Sequence, residues 1–186
     1  MLRTVRNSIL PVSLALAGIL FAPSPPAFAL SGAELREDAA AALAHLYKTR
    51  PEAKELGAKA KAILIFPNIV KAGFIVGGSY GEGVLQKGGQ SVGYYSSVAA
   101  SYGFQAGAQA FGYALFLMND SALHYLDKSE GWEIGVGPSI VIVNEGVAKN
   151  LTSTTLQNDI YAFVFDQKGL MAGIGIQGTK VTKIDK

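Results

Sequence analysis

The chain has 186 residues, 49% of them hydrophobic and 16% charged, with a formal net charge of +2 and no cysteine. A balance this close to neutral argues against nucleic-acid binding, which calls for a strongly basic domain. Without cysteine there is neither a disulfide staple nor a lipidated cysteine, so stability has to come from an apolar core.

The first residues read as a leader. Arg3 and Arg6 form a basic start, Ile9 to Ala22 is an apolar run, and a Pro-rich segment ends in Ala27-Phe28-Ala29, the small-x-small form that signal peptidase cleaves. The run is short for a bilayer span, where about 20 residues are expected. Residues 1–29 are therefore expected to be a signal peptide, cleaved near Ala29 to leave a periplasmic or secreted protein; an uncleaved anchor is the alternative. Loss of Arg3 and Arg6 takes the 16 basic residues to 14, against 14 acidic ones. Residues 30–186 suit one domain of ordinary size.

Ser31 and Glu34 have the spacing of a capping box, and Leu35, Ala39, Ala42, Leu43 and Leu46 then recur at helical spacing. Pro51, with Thr49 and Glu52, marks a second helix start running to about Lys59, with Ala53, Leu56 and Ala60 inward. Two amphipathic helices lying on a sheet are expected. Between His45 and Lys71 stand Lys48, Arg50, Lys54, Lys59, Lys61 and Lys71 against Glu52 and Glu55 only. Such a patch attracts anionic head groups by about 1 kcal/mol per basic residue at the surface. A solvated helix face is the plainer reading of the same residues.

From Ala62 the pattern turns to period two. A short apolar strand breaks at Pro67, and a long strand candidate follows that carries Gly73, Gly77, Gly78, Gly81 and Gly83. So many glycines in one strand predict close backbone approach, strong coiling or a bulge. Phe74, Val76, Tyr80 and Val84 share one face, and Gly77, Ser79, Gly81 and Gly83 the other. Gly88-Gly89 predicts a hairpin turn. Val92, Tyr94, Val98, Ala100, Tyr102 and Phe104 line one side of the next strand, and Phe111, Tyr113, Leu115 and Leu117 one side of the strand after it. Asp120 or Ser121 caps a short helix to Asp127. Trp132, Ile134, Val136, Ile140 and Ile142 alternate as a further strand, with Pro138 marking an edge or bulge. Asn144 to Thr155 reads as a surface loop. Ile160 to Phe165 and Leu170 to Gly178 read as a final hairpin around Asp166–Gly169, before a basic tail with Lys180, Lys183 and Lys186. The expected fold is α+β: six or seven mainly antiparallel strands in a strongly coiled, barrel-like sheet, two N-terminal helices packed on it, and one short helix near 120–127.

No catalytic constellation emerges. Gly77-Gly78-Ser79-Tyr80-Gly81 fits a nucleophile elbow, with Asp120 and His124 in hydrolase order, but the elbow needs a strand turning sharply into a helix, and here alternation continues. Gly173 to Gly178 spells the dinucleotide fingerprint, with only eight residues after it and so no helix to open. His45 and His124 are the only histidines, so neither a metal nor another cofactor is expected.

The string ILIFPNIVKAGFIVGGSYGEGVL resembles the opening block of the SYLF-domain family, with its FPxxxKAGxxxGxxxGxG core. YGFQAGAQAFGYALFLMND and YAFVFDQKGLMAGIGIQGTKV resemble the family's other two blocks, in the same order across residues 30–186. The resemblance implies a non-enzymatic lipid-binding module. Eukaryotic relatives bind phosphoinositide membranes through a basic, amphipathic N-terminal region, and some engage actin-patch machinery through attached domains; bacterial relatives are stand-alone envelope proteins. By position, Lys59, Lys61 and Lys71, with Arg50 and Lys54 on the preceding helix, would be the lipid-binding residues. This sequence holds no SH3 domain, and its bacterial-style leader points to anionic phospholipid or another envelope lipid rather than phosphoinositide. Leu35, Leu43 and Leu46 would add apolar contact if the first helix lay in the interface. A carrier with an apolar ligand inside the sheet, and a structural or host-interaction envelope protein, are the alternatives.

Overall fold

A computed structural model describes residues 30–73, 76–102, 107–128, 131–148, 151, 156–169, 176 and 178–186. The expected signal peptide and most of the Gly173–Gly178 stretch lie outside the described residues. Four helices and eight strands follow in the order α1 (Gly32–Thr49), α2 (Pro51–Lys59), β1 (Ala62–Gly73), β2 (Val76–Lys87), β3 (Gln90–Tyr102), β4 (Gly107–Leu117), α3 (Asp120–Lys128), β5 (Trp132–Glu133), β6 (Ile140–Ile142), α4 (Glu145–Ala148), β7 (Ile160–Gly169) and β8 (Lys180–Ile184). All eight strands join one sheet in the order β5-β8-β3-β2-β1-β4-β7-β6. Every pairing is antiparallel except β6 with β7.

Chain length forces this sheet to curl. β5 and β6 occupy its two opposite edges, yet only the short segment from Glu133 to Ile140 joins them. Seven residues reach at most about 25 Å, whereas seven strand spacings of about 4.8 Å would hold the edges of a flat sheet about 34 Å apart. The result is a half-barrel. Its concave side holds one core, in which Trp132 and Val181 from one edge meet Ile160 and Ala162 from the other around Leu64, Phe66, Tyr113 and Leu115. Phe66 and Tyr113 stack at 4.7 Å, and Ala122 and Leu126 of α3 join the same core.

The convex side holds the second core. Leu35, Ala39, Leu43 and Leu46 of α1 and Ala53 and Leu56 of α2 pack on Ile63, Ile65, Val84, Ala114, Phe116 and Phe163. The Ser31–Glu34 capping box is formed in both directions. Pro51 opens α2, and the N-cap is Arg50; Thr49 instead donates back to the His45 carbonyl.

The Pro67 break is a bulge inside one long strand. β1 pairs Ile65 with Val84 and then Asn68 with Glu82, so an extra residue is accommodated around Phe66-Pro67. The displaced backbone presses on β2. A Cβ at Gly83 would lie 2.5 Å from the Ile65 carbonyl oxygen, and one at Gly81 2.5 Å from that of Asn68. Glycine is required there by close approach, as its density in the sequence suggests.

The sheet corrects several expectations. Gly73 ends β1, so the long glycine-bearing strand is in fact two strands of a hairpin. The alternation from Trp132 to Ile142 belongs to two strands on opposite edges, joined by a strap that turns Ile134 inward but leaves Val136 exposed, and that is not itself a strand. Glu145–Ala148 is a short helix inside the expected loop. β7 continues through Asp166–Gly169, and the expected basic tail forms β8, which pairs with β3 and β5 rather than with β7.

Candidate functional site

The predicted basic residues do not gather into one patch. Arg50 sits at the α1–α2 junction, half-buried, paired with Glu52 and with its guanidinium 5.4 Å from the centre of the Phe163 ring. Lys54 and Lys59 are exposed on α2, and Lys61, at the start of β1, lies 3.7 Å from Asp120. Lys71 is on the other side of the sheet. In an unbroken strand it would share the convex face of Ile63 and Ile65; the bulge shifts the register by one residue, so that Ile69 and Lys71 face the concave side. Leu35, Leu43 and Leu46 are consumed by the convex core, so α1 has no apolar stripe left to offer an interface.

A different surface is free. α1 crosses the convex face obliquely, from β3, where the Tyr94 hydroxyl donates to Gly32, to β7, where His45 Nε2 is 3.3 Å from Asp166. Beyond it no element among the described residues covers the far halves of β1–β4. There Val98 opposes Tyr80, Tyr80 opposes Val70, and Val70 opposes Ala110. Directly opposed residues share a face, so these four form one row. The row ends in a lysine on either side, Lys180 opposite Val98 and Lys168 opposite Ala110, both exposed. Val70, Tyr80 and Val98 are 50%, 52% and 47% exposed. A second row of small exposed residues, Ala100, Gly78, Ala72 and Ala108, runs beside it, with Val76 beyond. The six-residue row spans five strand spacings, about 24 Å.

Two features border this plateau. A groove of about 510 Å³ separates it from α1, with Ala110 and Gly112 on its floor and Asp38, His45, Asp166 and Lys168 on its walls. At the β2–β3 side, the Tyr80 hydroxyl donates to Glu82, and Lys186 Nζ bridges Glu82 and the Leu30 carbonyl at 2.6 Å each. The described chain therefore begins beside the plateau. Burial, with smaller effects of Glu82, pushes the Tyr80 hydroxyl pKa up, so it stays a neutral donor.

Ser79 lies in mid-strand on β2 and His124 on α3, without the strand-to-helix turn that exposes a nucleophile. In the sequence pattern Lys168 belongs to a turn and Lys180 to a tail, and only strand register brings them onto one row.

Residues 98–186, close to half of the chain, match the profile of the family described as Ysc84, Las17-binding protein actin regulator. Over those residues the chain is similar to the SYLF-domain family. The match begins within β3 and runs through β8, so it takes in Lys168, Lys180 and the β4 side of the plateau. The α1–α2 region, β1 and β2 lie outside the match. No curated protein matches the chain.

Proposed function

We propose that this SYLF-like domain is a non-enzymatic lipid-binding protein of the bacterial envelope, acting after removal of residues 1–29 and docking on anionic membranes with its convex plateau. The observation that carries the reading is the exposed row Val98–Tyr80–Val70–Ala110 with Lys180 and Lys168 at its ends. Half-exposed apolar side chains enter the interface, while lysines at the rim reach head-group phosphates and keep their stems in contact with apolar surface. Lys54, Lys59 and Lys61 lie toward the other end of β1, about 30 Å along the strand from Val70, and supply long-range attraction at most. The concave core is filled with side chains, which favours surface docking over the carriage of an apolar ligand. Co-sedimentation with vesicles tests the proposal. Binding should require anionic lipid and weaken in Lys168→Gln/Lys180→Gln. Equal binding to neutral and anionic vesicles, or binding indifferent to both the row and its lysines, would overturn it.

A further inference from the structure

The docking surface makes no use of Lys71, although the bulge brings it to a distinctive place. On the concave face Lys71 opposes Ser79 on β2 and Gln109 on β4. A cavity of about 50 Å³ there is lined by Lys71, Ser79, Ser97, Tyr113 and Thr179, with Ile69, Phe111 and Ile176 as its apolar wall. Ser97, Gln109 and Thr179 are the buried polar side chains among the described residues, at 1%, 4% and 4% exposure. All three belong to this neighbourhood, Gln109 through its pairing with Lys71. The Tyr113 hydroxyl donates to Ser97 Oγ at 2.8 Å. Among the described residues Lys71 is the one charged group that lines the cavity: Glu82 lies on the convex face with Lys186, Lys180 and Lys168 flank the plateau, and Lys183, though on the concave side opposite Tyr95, is outside the lining. Lys71 forms none of the ion pairs seen among the described residues.

We infer that this cavity is a receptor for a small oxyanion, a phosphate or carboxylate group, held by the Lys71 ammonium and the surrounding hydroxyls. An ammonium inside a half-barrel, beside hydroxyl donors and with no carboxylate among the described lining residues, matches what an oxyanion requires: charge-assisted hydrogen bonds in a site partly withdrawn from water. A single water needs about 10–15 Å³ on this measure, so the cavity takes a few waters or one such anion, and an acyl chain would have to remain outside it. Lys71 and Ser79 are half-buried, which leaves the site open from solvent on their side. The anion could come free from solution or as the head group of a lipid, and the two sources separate by experiment.

Isothermal titration of the purified protein uses two probes, inorganic phosphate and dihexanoyl phosphatidate below its micelle concentration. Both should bind if the source is free anion, and phosphatidate alone if it is a lipid head group. In either case Lys71→Met should weaken binding at least about tenfold, the scale of one charge-assisted hydrogen bond, and Lys71→Arg should retain most of it. Val70→Thr/Val98→Thr, on the opposite face, should bind the probes as wild type does, which separates this site from vesicle docking. If Lys71→Met does not fold by circular dichroism, Ser79→Ala takes its place, with a smaller loss expected. Binding of neither probe, or unchanged affinity in the folded Lys71→Met or Ser79→Ala protein, overturns the inference.

Discussion

Replacing Val70 and Val98 together by threonine tests the docking surface most directly. Threonine keeps the β-branch that suits a strand, so the sheet should be undisturbed. The two valines are 50% and 47% exposed, so docking has about half of each side chain left to bury. Full burial of a valine contributes about 1.5–2 kcal/mol, so each accounts for about 1 kcal/mol and the pair for about 2 kcal/mol, roughly a 30-fold loss of vesicle affinity. Losing Lys168 and Lys180 as glutamines should cost a similar amount at low salt, about 1 kcal/mol each. The two losses respond differently to salt. Near 1 M salt the Debye length falls to about 3 Å, so the lysine effect should fade while the valine effect persists. The assay is a vesicle titration at low and high salt, followed by sedimentation. Unchanged binding in Val70→Thr/Val98→Thr, or full loss of binding on charge reversal of Lys54, Lys59 and Lys61, would refute the reasoning.

Other expectations concern the scaffold. Gly83→Ala forces a methyl to 2.5 Å from the Ile65 carbonyl oxygen and should lower stability by about 1–3 kcal/mol in urea unfolding. Gly78→Ala meets only the Ala99 carbonyl, at 3.5 Å, and should be tolerated. Arg50→Gln removes the Glu52 pair and the contact with Phe163 and should cost about 1–2 kcal/mol in the same assay; vesicle affinity per folded molecule should not change. Hydrogen bonds from Asn119 and Ser139 hold the Asp159 carboxyl below its ordinary pKa. A depressed carboxylate stabilises the fold above its unfolded pKa, and that contribution disappears as pH falls through the folded value. Acid unfolding of Asp159→Asn should therefore show a weaker pH dependence below about pH 4 than wild type.

What the sequence discloses depends on how local the cause is. The capping box, Pro51 at the start of α2 and the Gly88-Gly89 turn are set by neighbouring residues, and each stands where the pattern puts it. The β1 bulge is half-legible: Pro67 and the opposing glycines announce an irregularity. The direction in which it turns Lys71 depends on the pairing of three strands. Trp132–Ile142 misleads because Trp132 and Ile134 turn into the core from one edge and Ile140 and Ile142 pack on it from the other, while Val136 between them is exposed. β8 hides behind the exposed Lys180 and Lys183, with only Val181 buried between them. The docking row could not be read for a similar reason. Val70, Tyr80 and Val98 alternate in the same way as the core positions Ile63 and Val84, and nothing in their spacing tells which end of the strands α1 leaves uncovered.

The two outermost strands are only two and three residues long, and the chain between them ties both rims of the half-barrel together. A long open rim invites another molecule to add its own strand, the usual route by which β-rich proteins polymerise. The two outermost strands themselves offer little backbone for such zippering, and their rims are tied without a covalent cross-link. Edge-to-edge pairing through β5 or β6 would therefore gain only two or three residues of ladder.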